Sequence, residues 1–377
     1  MKKYTVIEKG FAFDDVLLMP GYADFVREDV DISSRLTKNI RLKSPLVSAP
    51  MDTVTGSELA IALGKAGGIG ILHRNLRVAE QAEEVARVKA AGQLVGAATG
   101  IAEGFKERVA ALVEAGVDVI CLDAAHGYTK PMIDAIRYVK ETYSTVDVIA
   151  GNVATYDGAK ALSEAGADGL RVGMGPGAIC TTRIISGMGM PQFTAITETV
   201  RAAKQYDVPV IADGGIKYSG DIVKALGAGA ETVMMGGLFA ATVEAPGTVV
   251  ELTPDQVPEQ FRKINLSSYK FKTYRGMGSV GAMRQGASTK AEDEFHGKSF
   301  DGQVLVAEGV ESLVPVKGRV QEVCDQAIGG IRSGLFYVGA KSVTELQEMA
   351  TFIQLTQASL AESHPHDVVV TNGGQNY

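Results

Sequence analysis

"VPVIADGGIKYSGDIVKALGAGAETVMMGG" (residues 208–237) holds two short apolar runs, each ending in paired glycines, on either side of one amphipathic stretch. The runs "VPVIADG" (208–214) and "TVMMGG" (232–237) read as strands buried on both faces. The stretch between them, "SGDIVKALGAG" (219–229), reads as a helix that ends on Gly after Ala. Strand, helix, strand in that order is one parallel crossover unit.

Working outward, the unit recurs. Six earlier apolar runs precede these two: "PLVSA" (45–49), "IGIL" (69–72), "LVGAA" (94–98), "DVICLD" (118–123), "DVIAGN" (147–152) and "GLRVG" (169–173). Helix-like segments such as "AEQAEEVARVKAA", "FKERVAALVEAG", "PMIDAIRYVKETY" and "AKALSEAGA" lie between them. Eight β-α units over about 200 residues predict an α/β protein with a (β/α)8 TIM barrel. A doubly wound open sheet is the alternative. It usually has fewer strands and a G-x-G-x-x-G loop after the first, whereas "APMDTVTG" follows the first run here.

In a barrel the C-terminal ends of all strands meet on one face, where active sites sit. Polar and glycine-rich residues cluster at those ends: Met51-Asp52, His73-Arg74, Asp123, Asn152, the Cys180 loop, Asp213-Gly214-Gly215 and Gly236-Gly237. The chain of 377 residues, 46% hydrophobic, is ample for a large core. Its net charge of -7 with no basic runs argues against nucleic acid or an anionic membrane as partner. Three widely spaced cysteines argue for a reducing compartment, without a disulfide framework or zinc site. The start "MKKYTVIEKG" leads into polar "FAFDD", unlike a signal peptide, and no run of about 18 apolar residues occurs. A cytoplasmic protein is expected.

Cys180 sits in "VGMGPGAICTTRIISGMGMPQ" (172–192). A nucleophilic thiolate needs a low-pKa setting, which backbone amides and Arg183 could supply, with Thr182 as a proton relay. The competing reading is an inert buried cysteine in a glycine-rich turn. "ADGGIKYSG" and "MMGGLFA", after the seventh and eighth runs, stand where barrels commonly bind phosphate. Paired glycines expose N–H groups to an anion, although tight turns use glycine too. Asp213 suits a ribose diol. Asp123 and His126 could face a second ligand, or Asp123 could cap the next helix. His73 reads as structural. His296, His364 and His366 lack further ligands nearby in sequence and read as a solvated or interface tail. Met277, between glycines, is not placed like a core residue.

Residues 238–318 carry "KFKTYRGMGSVGAM", the polar "RQGASTKAEDEFHGKSFDGQ" and "VLVAEGVESLVPVKG". A long polar loop of this kind reads as a mobile active-site lid after the eighth strand. Two further helices, "RVQEVCDQAIGGIRSG" and "SVTELQEMATFIQLTQASL", are expected to complete the outer ring. The whole, 1–377, reads as a single catalytic domain with 238–318 as its lid.

"FAFDDVLLMPG", "SAPMDTVTG", "GGIGILHRN", "AGNVAT", "GPGAICTTR", "IADGGIKYSGDIVKALGAGA", "YRGMGSVGAM" and "ESHPHDV" closely resemble the IMP dehydrogenase and GMP reductase family over nearly the whole chain. The resemblance implies a barrel that assembles as a homotetramer and acts at C2 of a purine nucleotide, GMP or IMP. Cys180 would attack C2 while NADPH or NAD exchanges hydride there, with Thr182 and Glu308 as further catalytic residues. Met51, Asp213, Gly215, Gly236, Gly237, Tyr274, Met277 and Gly278 would bind the nucleotide. Asp123, Asn152 and Gly173 would lie towards the cofactor. Carbonyls of Gly175, Gly177 and Cys180 would hold a monovalent cation (K+) where the family uses one.

Three departures mark this chain. "ARVKAAGQLVGAA" runs straight into the third strand, without the paired regulatory (CBS) insert of many members. Ala178 and Gly237 stand where dehydrogenases commonly have serines. "GASTKAEDEFHGK" (286–298) lacks the Arg-Tyr pair that activates water in the dehydrogenases, while Thr182 and Glu308, the reductase proton-transfer pair, are present. The reading that follows is a GMP reductase, converting GMP and NADPH to IMP and ammonia. IMP dehydrogenase is the alternative, and a catalytically silent nucleotide-binding regulator a remote one.

Overall fold

The protein is described here from a computed structural model covering residues 9–262, 267–293, 306–368 and 370. Eight parallel strands close into a barrel: β1 (Leu46–Ser48), β2 (Ile69–Leu72), β3 (Val95–Thr99), β4 (Val119–Asp123), β5 (Asp147–Val153), β6 (Gly169–Val172), β7 (Val210–Asp213) and β8 (Thr232–Met235). Each pairs with its sequence neighbours, and β8 closes on β1 through Val233↔Leu46. Around them run α1 (Ser57–Lys65), α2 (Val78–Ala90), α3 (Phe105–Glu114), α4 (Lys130–Thr142), α5 (Tyr156–Glu164), α6 (Gln192–Ala203), α7 (Ser219–Gly227) and α8 (Val320–Val338). The expected (β/α)8 barrel is therefore the fold, and the expected runs mark its strands to within about two residues.

Strand parity explains both faces. Ile120 and Leu122 of β4 point outward into the helix layer, while Val119 and Cys121 join Val47, Ile69, Ile71, Ile149, Ile211 and Met234 inside the barrel. An antiparallel hairpin, Ser34–Arg35 against Arg41–Leu42, contributes Leu36 and Leu42 to that inner cluster and plugs it from below. One more inward step brings Asp123, Arg171 and Asp213 to the top layer. Apolar filling thus gives way to charge at the C-terminal ends of the strands.

Two expectations need correction. "SVTELQEMATFIQLTQASL" is not one helix. It forms a helix over Val343–Met349, a strand over Phe352–Gln354 and a helix over Gln357–Glu362. The strand pairs antiparallel with Val16–Leu18 from the other end of the chain, a partner that local periodicity cannot reveal. The region after β8 is also no simple loop. β9 (Val249–Leu252), β10 (Tyr269–Arg275) and β11 (Glu311–Pro315) make an antiparallel sheet beside the barrel mouth, and a helix over Val280–Asp293 lies between β10 and β11 in the chain. Residues 294–305, with His296 and half of the polar lid stretch, lie outside the described residues. Among the described residues no helix is long and apolar enough to cross a membrane.

Candidate active site

The loop after β6 carries Cys180 and is stitched to the insertion by backbone bonds. Thr181 N–H donates to the Glu308 carbonyl (2.9 Å), Val310 N–H to Ile179 (3.0 Å), and Glu308 N–H to Gly278 (3.1 Å). These bonds bring Glu308 to Cys180 across more than a hundred residues of sequence. The side chains then form a relay. The Cys180 thiol lies 3.3 Å from Thr182 Oγ1, and the Thr182 hydroxyl donates to Glu308 Oε2 at 2.9 Å. A proton leaving sulfur has a path through one hydroxyl to a carboxylate.

The other two cysteines provide the contrast. Cys121 and Cys324 are buried, and burial pushes both thiols up to about 12. Only Cys180 of the three is partly open to solvent. The inert-filler reading suits Cys121 and Cys324, from which Cys180 differs in its exposure. Arg183 does not serve the thiol as the sequence suggested. Its guanidinium donates to the Met190 carbonyl (2.7 Å), and its stem packs where Gly175 and Gly189 leave room.

A charged chain spans the barrel mouth. Arg171 of β6 donates to Asp213 Oδ2 (2.8 Å) and to Asp123 Oδ1, and Arg74 Nε reaches Asp123 Oδ2 at 3.3 Å. Asn152 donates to the same Asp213 oxygen (2.9 Å) and to the Gly173 carbonyl (2.8 Å). Asp213 Oδ1 has no partner among the described residues and is left to accept from a ligand hydroxyl. Burial pushes the Asp123 carboxyl up, but Arg171 and Arg74 outweigh it and its pKa falls below the usual carboxylate range. Thr129, not Asp123, caps α4. Arg171, which joins Asp123 to Asp213, is the charged residue of the mouth that the sequence reading missed. Its signal was there: a lone arginine in an apolar strand, at the inward parity, requires carboxylates opposite.

The glycines at the ends of β7 and β8 have separate reasons. Gly214 and Gly215 adopt φ of +86° and +77° in the turn after Asp213, a region that favours glycine. Gly236 is held by close approach, because a Cβ there would stand 2.6 Å from the Tyr274 hydroxyl and 3.1 Å from Met51 Sδ. Tyr274 is buried, and burial together with the Asp213 charge raises its pKa. Met51, Gly236, Gly237 and Tyr274 thus converge. Met277 and Gly278 follow in the bend after β10, beside the Glu308 backbone. The Gly177 carbonyl accepts the Cys180 N–H (3.1 Å).

A second polar knot fastens the insertion to the barrel. Arg275 donates to Asp52 (2.7 Å), as does Asn75 (2.9 Å), and Asn75 also reaches the Ala282 carbonyl (3.0 Å). His73 lies beneath, buried, with Nδ1 accepting from Asn75 N–H (3.2 Å). Burial, against the pull of Asp52 and Glu84, takes its pKa from 6.5 down to about 4. The folded state therefore refuses a proton that the unfolded chain accepts between those values. Stability is fully present above pH 6.5 and falls as pH drops towards 4, by an amount on the order of 3 kcal/mol. His73→Gln should remove that slope. Urea midpoints at pH 7 and pH 4.5 should differ less in the variant than in wild type; equal differences would show that His73 is not the group responsible.

The tail histidines do not join the site. His366 is exposed and bonded to the His364 carbonyl, and His364 stacks obliquely near Tyr218. Among the described residues no group of three or more His, Cys, Asp or Glu could hold a metal ion.

Comparison with known proteins bears on this geometry. The family described as "IMP dehydrogenase / GMP reductase domain" matches residues 10–366. An inosine-5'-monophosphate dehydrogenase of Aquifex aeolicus (strain VF5) is 39% identical, with 98% of each chain covered. One of Cryptosporidium parvum is 40% identical, again with 98% of each covered. A third, of Rhodopirellula baltica, is 37% identical over 98% of this chain and 88% of its own. The Aquifex alignment runs over 499 positions, more than this chain's 377 residues, and the Cryptosporidium alignment over 414. The expectation of a GMP reductase is overturned here. Full-length relatives at this level of identity carry the dehydrogenase name. The missing Arg-Tyr pair, which favoured a reductase, concerns one stretch of the insertion, whereas the likeness extends along the whole chain.

Proposed function

We propose that this chain, which belongs to the IMP dehydrogenase / GMP reductase family, is an IMP dehydrogenase that oxidises IMP at C2 to XMP with NAD. The observation that carries the chemistry is the Cys180–Thr182–Glu308 relay, with sulfur 3.3 Å and carboxylate 2.9 Å from one hydroxyl. Asp213 receives the ribose diol, because Arg171 and Asn152 fix one of its oxygens and leave the other. Gly215, Gly236, Gly237 and the Tyr274 hydroxyl take the phosphate, and Met51, Met277 and Gly278 meet the base. With ribose and phosphate so held, C2 of the base is presented to Cys180.

Sulfur adds to C2 as its proton passes through Thr182 to Glu308 and on to solvent, which leaves the carboxylate free to take the water's proton in the hydrolytic step. NAD, when bound, accepts the hydride that leaves C2. The nucleotide remains bonded to sulfur until water attacks C2, the C–S bond breaks and the thiol is restored. The described residues suit that cofactor. Asp123 retains lone pairs for a ribose hydroxyl despite its two arginines, and Gly173 lies in the same mouth, kept a glycine by the Asp213 carbonyl that a Cβ would meet at 2.2 Å. A potassium ion on the carbonyls of Gly175, Gly177 and Cys180 belongs to the same proposal, since a carbonyl that accepts one N–H keeps a lone pair for a cation. So do a homotetramer, a cytoplasmic setting, and a single catalytic domain without the regulatory insert.

In the dehydrogenases that the chain resembles an Arg-Tyr pair activates the hydrolytic water. No Arg-Tyr occurs in 286–298, and Thr182 with Glu308 take that task here. The test is direct. Wild-type protein with IMP and NAD should release XMP and NADH in equal amounts, and with GMP and NADPH should release no ammonia. Ammonia from GMP without XMP from IMP would overturn the assignment.

A further inference from the structure

Lys272 is a lysine in the wrong surroundings. It sits in the middle of β10, 2% exposed, with no carboxylate in contact among the described residues. Its ammonium donates to three backbone carbonyls, those of Thr242 (2.8 Å), Val243 (3.2 Å) and Ala245. An ammonium has three donors, so all are used. Burial lowers its pKa, and the charge of nearby Glu244 only partly restores it. A buried cation held by carbonyls alone is a costly way to pin a turn, which an apolar side chain would pack more cheaply.

What the turn carries supplies a reason. Residues 242–245 directly follow the short helix Gly237–Ala240, whose start is the Gly236–Gly237 pair at the end of β8. Lys272 and Tyr274 are two apart on β10 and so share one face of the strand. The Tyr274 hydroxyl stands over Gly236, at the front of this segment. The Lys272 ammonium grips its back. Further bonds close the same seam: Thr273 N–H to the Thr248 carbonyl (2.9 Å) and Thr248 N–H to Thr273 Oγ1 (2.9 Å).

We propose that Lys272 is a positioning residue for phosphate recognition: it fixes the 236–245 segment against β10, so that the Gly236–Gly237 amides and the Tyr274 hydroxyl converge on one anion. The proposal rests on the reading that these groups hold the nucleotide phosphate. It matters more in this chain because Ala178 and Gly237 offer no hydroxyl of their own, so aligned amides must carry recognition.

The experiment compares IMP with inosine, which lacks the phosphate. For wild type, a large preference for IMP in kcat/KM tests the phosphate site itself; equal use of both would overturn that reading. For Lys272→Met, the expected result is a fall in kcat/KM for IMP of about tenfold or more. It should appear in KM, with kcat within about threefold and inosine turnover unchanged. Equal losses for IMP and inosine, or no loss for either, would overturn the proposal. Lys272→Arg, with the charge kept on a longer side chain, carries the same test if the methionine variant does not fold. It too must lose IMP in preference to inosine.

Discussion

Cys180→Ala should abolish turnover, with kcat down by at least about 10⁴-fold, while IMP affinity stays within about tenfold of wild type. The asymmetry follows from where each contact acts. On the proposed reading, ribose and phosphate are held by Asp213, Tyr274 and the glycine turns rather than by the sulfur. The thiol bonds to C2 only as reaction proceeds, so its removal raises the barrier and leaves the ground state nearly alone. Cys121 and Cys324 cannot substitute, since both are buried and held as thiols up to about pH 12. Two measurements decide it: IMP binding by calorimetry, and the stoichiometry of NADH formed in the first turnover. Wild type should give a covalently attached nucleotide detectable by mass, and the alanine variant none. An alanine variant that still forms NADH from IMP would remove the covalent step from the mechanism.

Much of this was legible because buried parallel strands advertise themselves. "IGIL" and "DVICLD" have neighbours on both faces and so read as unbroken apolar runs, and the barrel rule then gathers their ends on one face. Cys180 and Asp213 are placed at that face by the same rule. Arg171 escaped because "GLRVG" was read as a strand and its charge passed over, although parity alone places 171 inward with Asp123 and Asp213. The pairing of Val16–Leu18 with Phe352–Gln354 was invisible for a different reason: it joins segments more than 300 residues apart, and neither has a helix or turn nearby that requires it. Lys272 was equally hidden. Its acceptors are backbone carbonyls, which carry no sequence signature. The absence of an Arg-Tyr pair from 286–298 points to a reductase, but it is one local feature against a likeness to dehydrogenases over 98% of the chain.

Glu308→Gln should separate the two halves of the reaction. Gln keeps the shape and can still bond to Thr182, but it cannot take a proton from it. Hydride departure needs sulfur on C2 and NAD to accept the hydride, and Cys180, partly open to solvent, can hand its proton to water in place of Glu308 as it adds. A first equivalent of NADH should therefore still form. Hydrolysis is different: the attacking water must surrender a proton inside the site, and the Thr182 hydroxyl at 2.9 Å from Glu308 is the described route out. General base catalysis contributes about 10²–10⁴ in rate, so steady-state turnover should fall by that factor. The covalent nucleotide should then accumulate, and mass spectrometry after quenching should find most of the enzyme carrying it. If Glu308→Gln turns over within about threefold of wild type, the water is activated elsewhere, and Thr182 with Glu308 serve only to hold the loop.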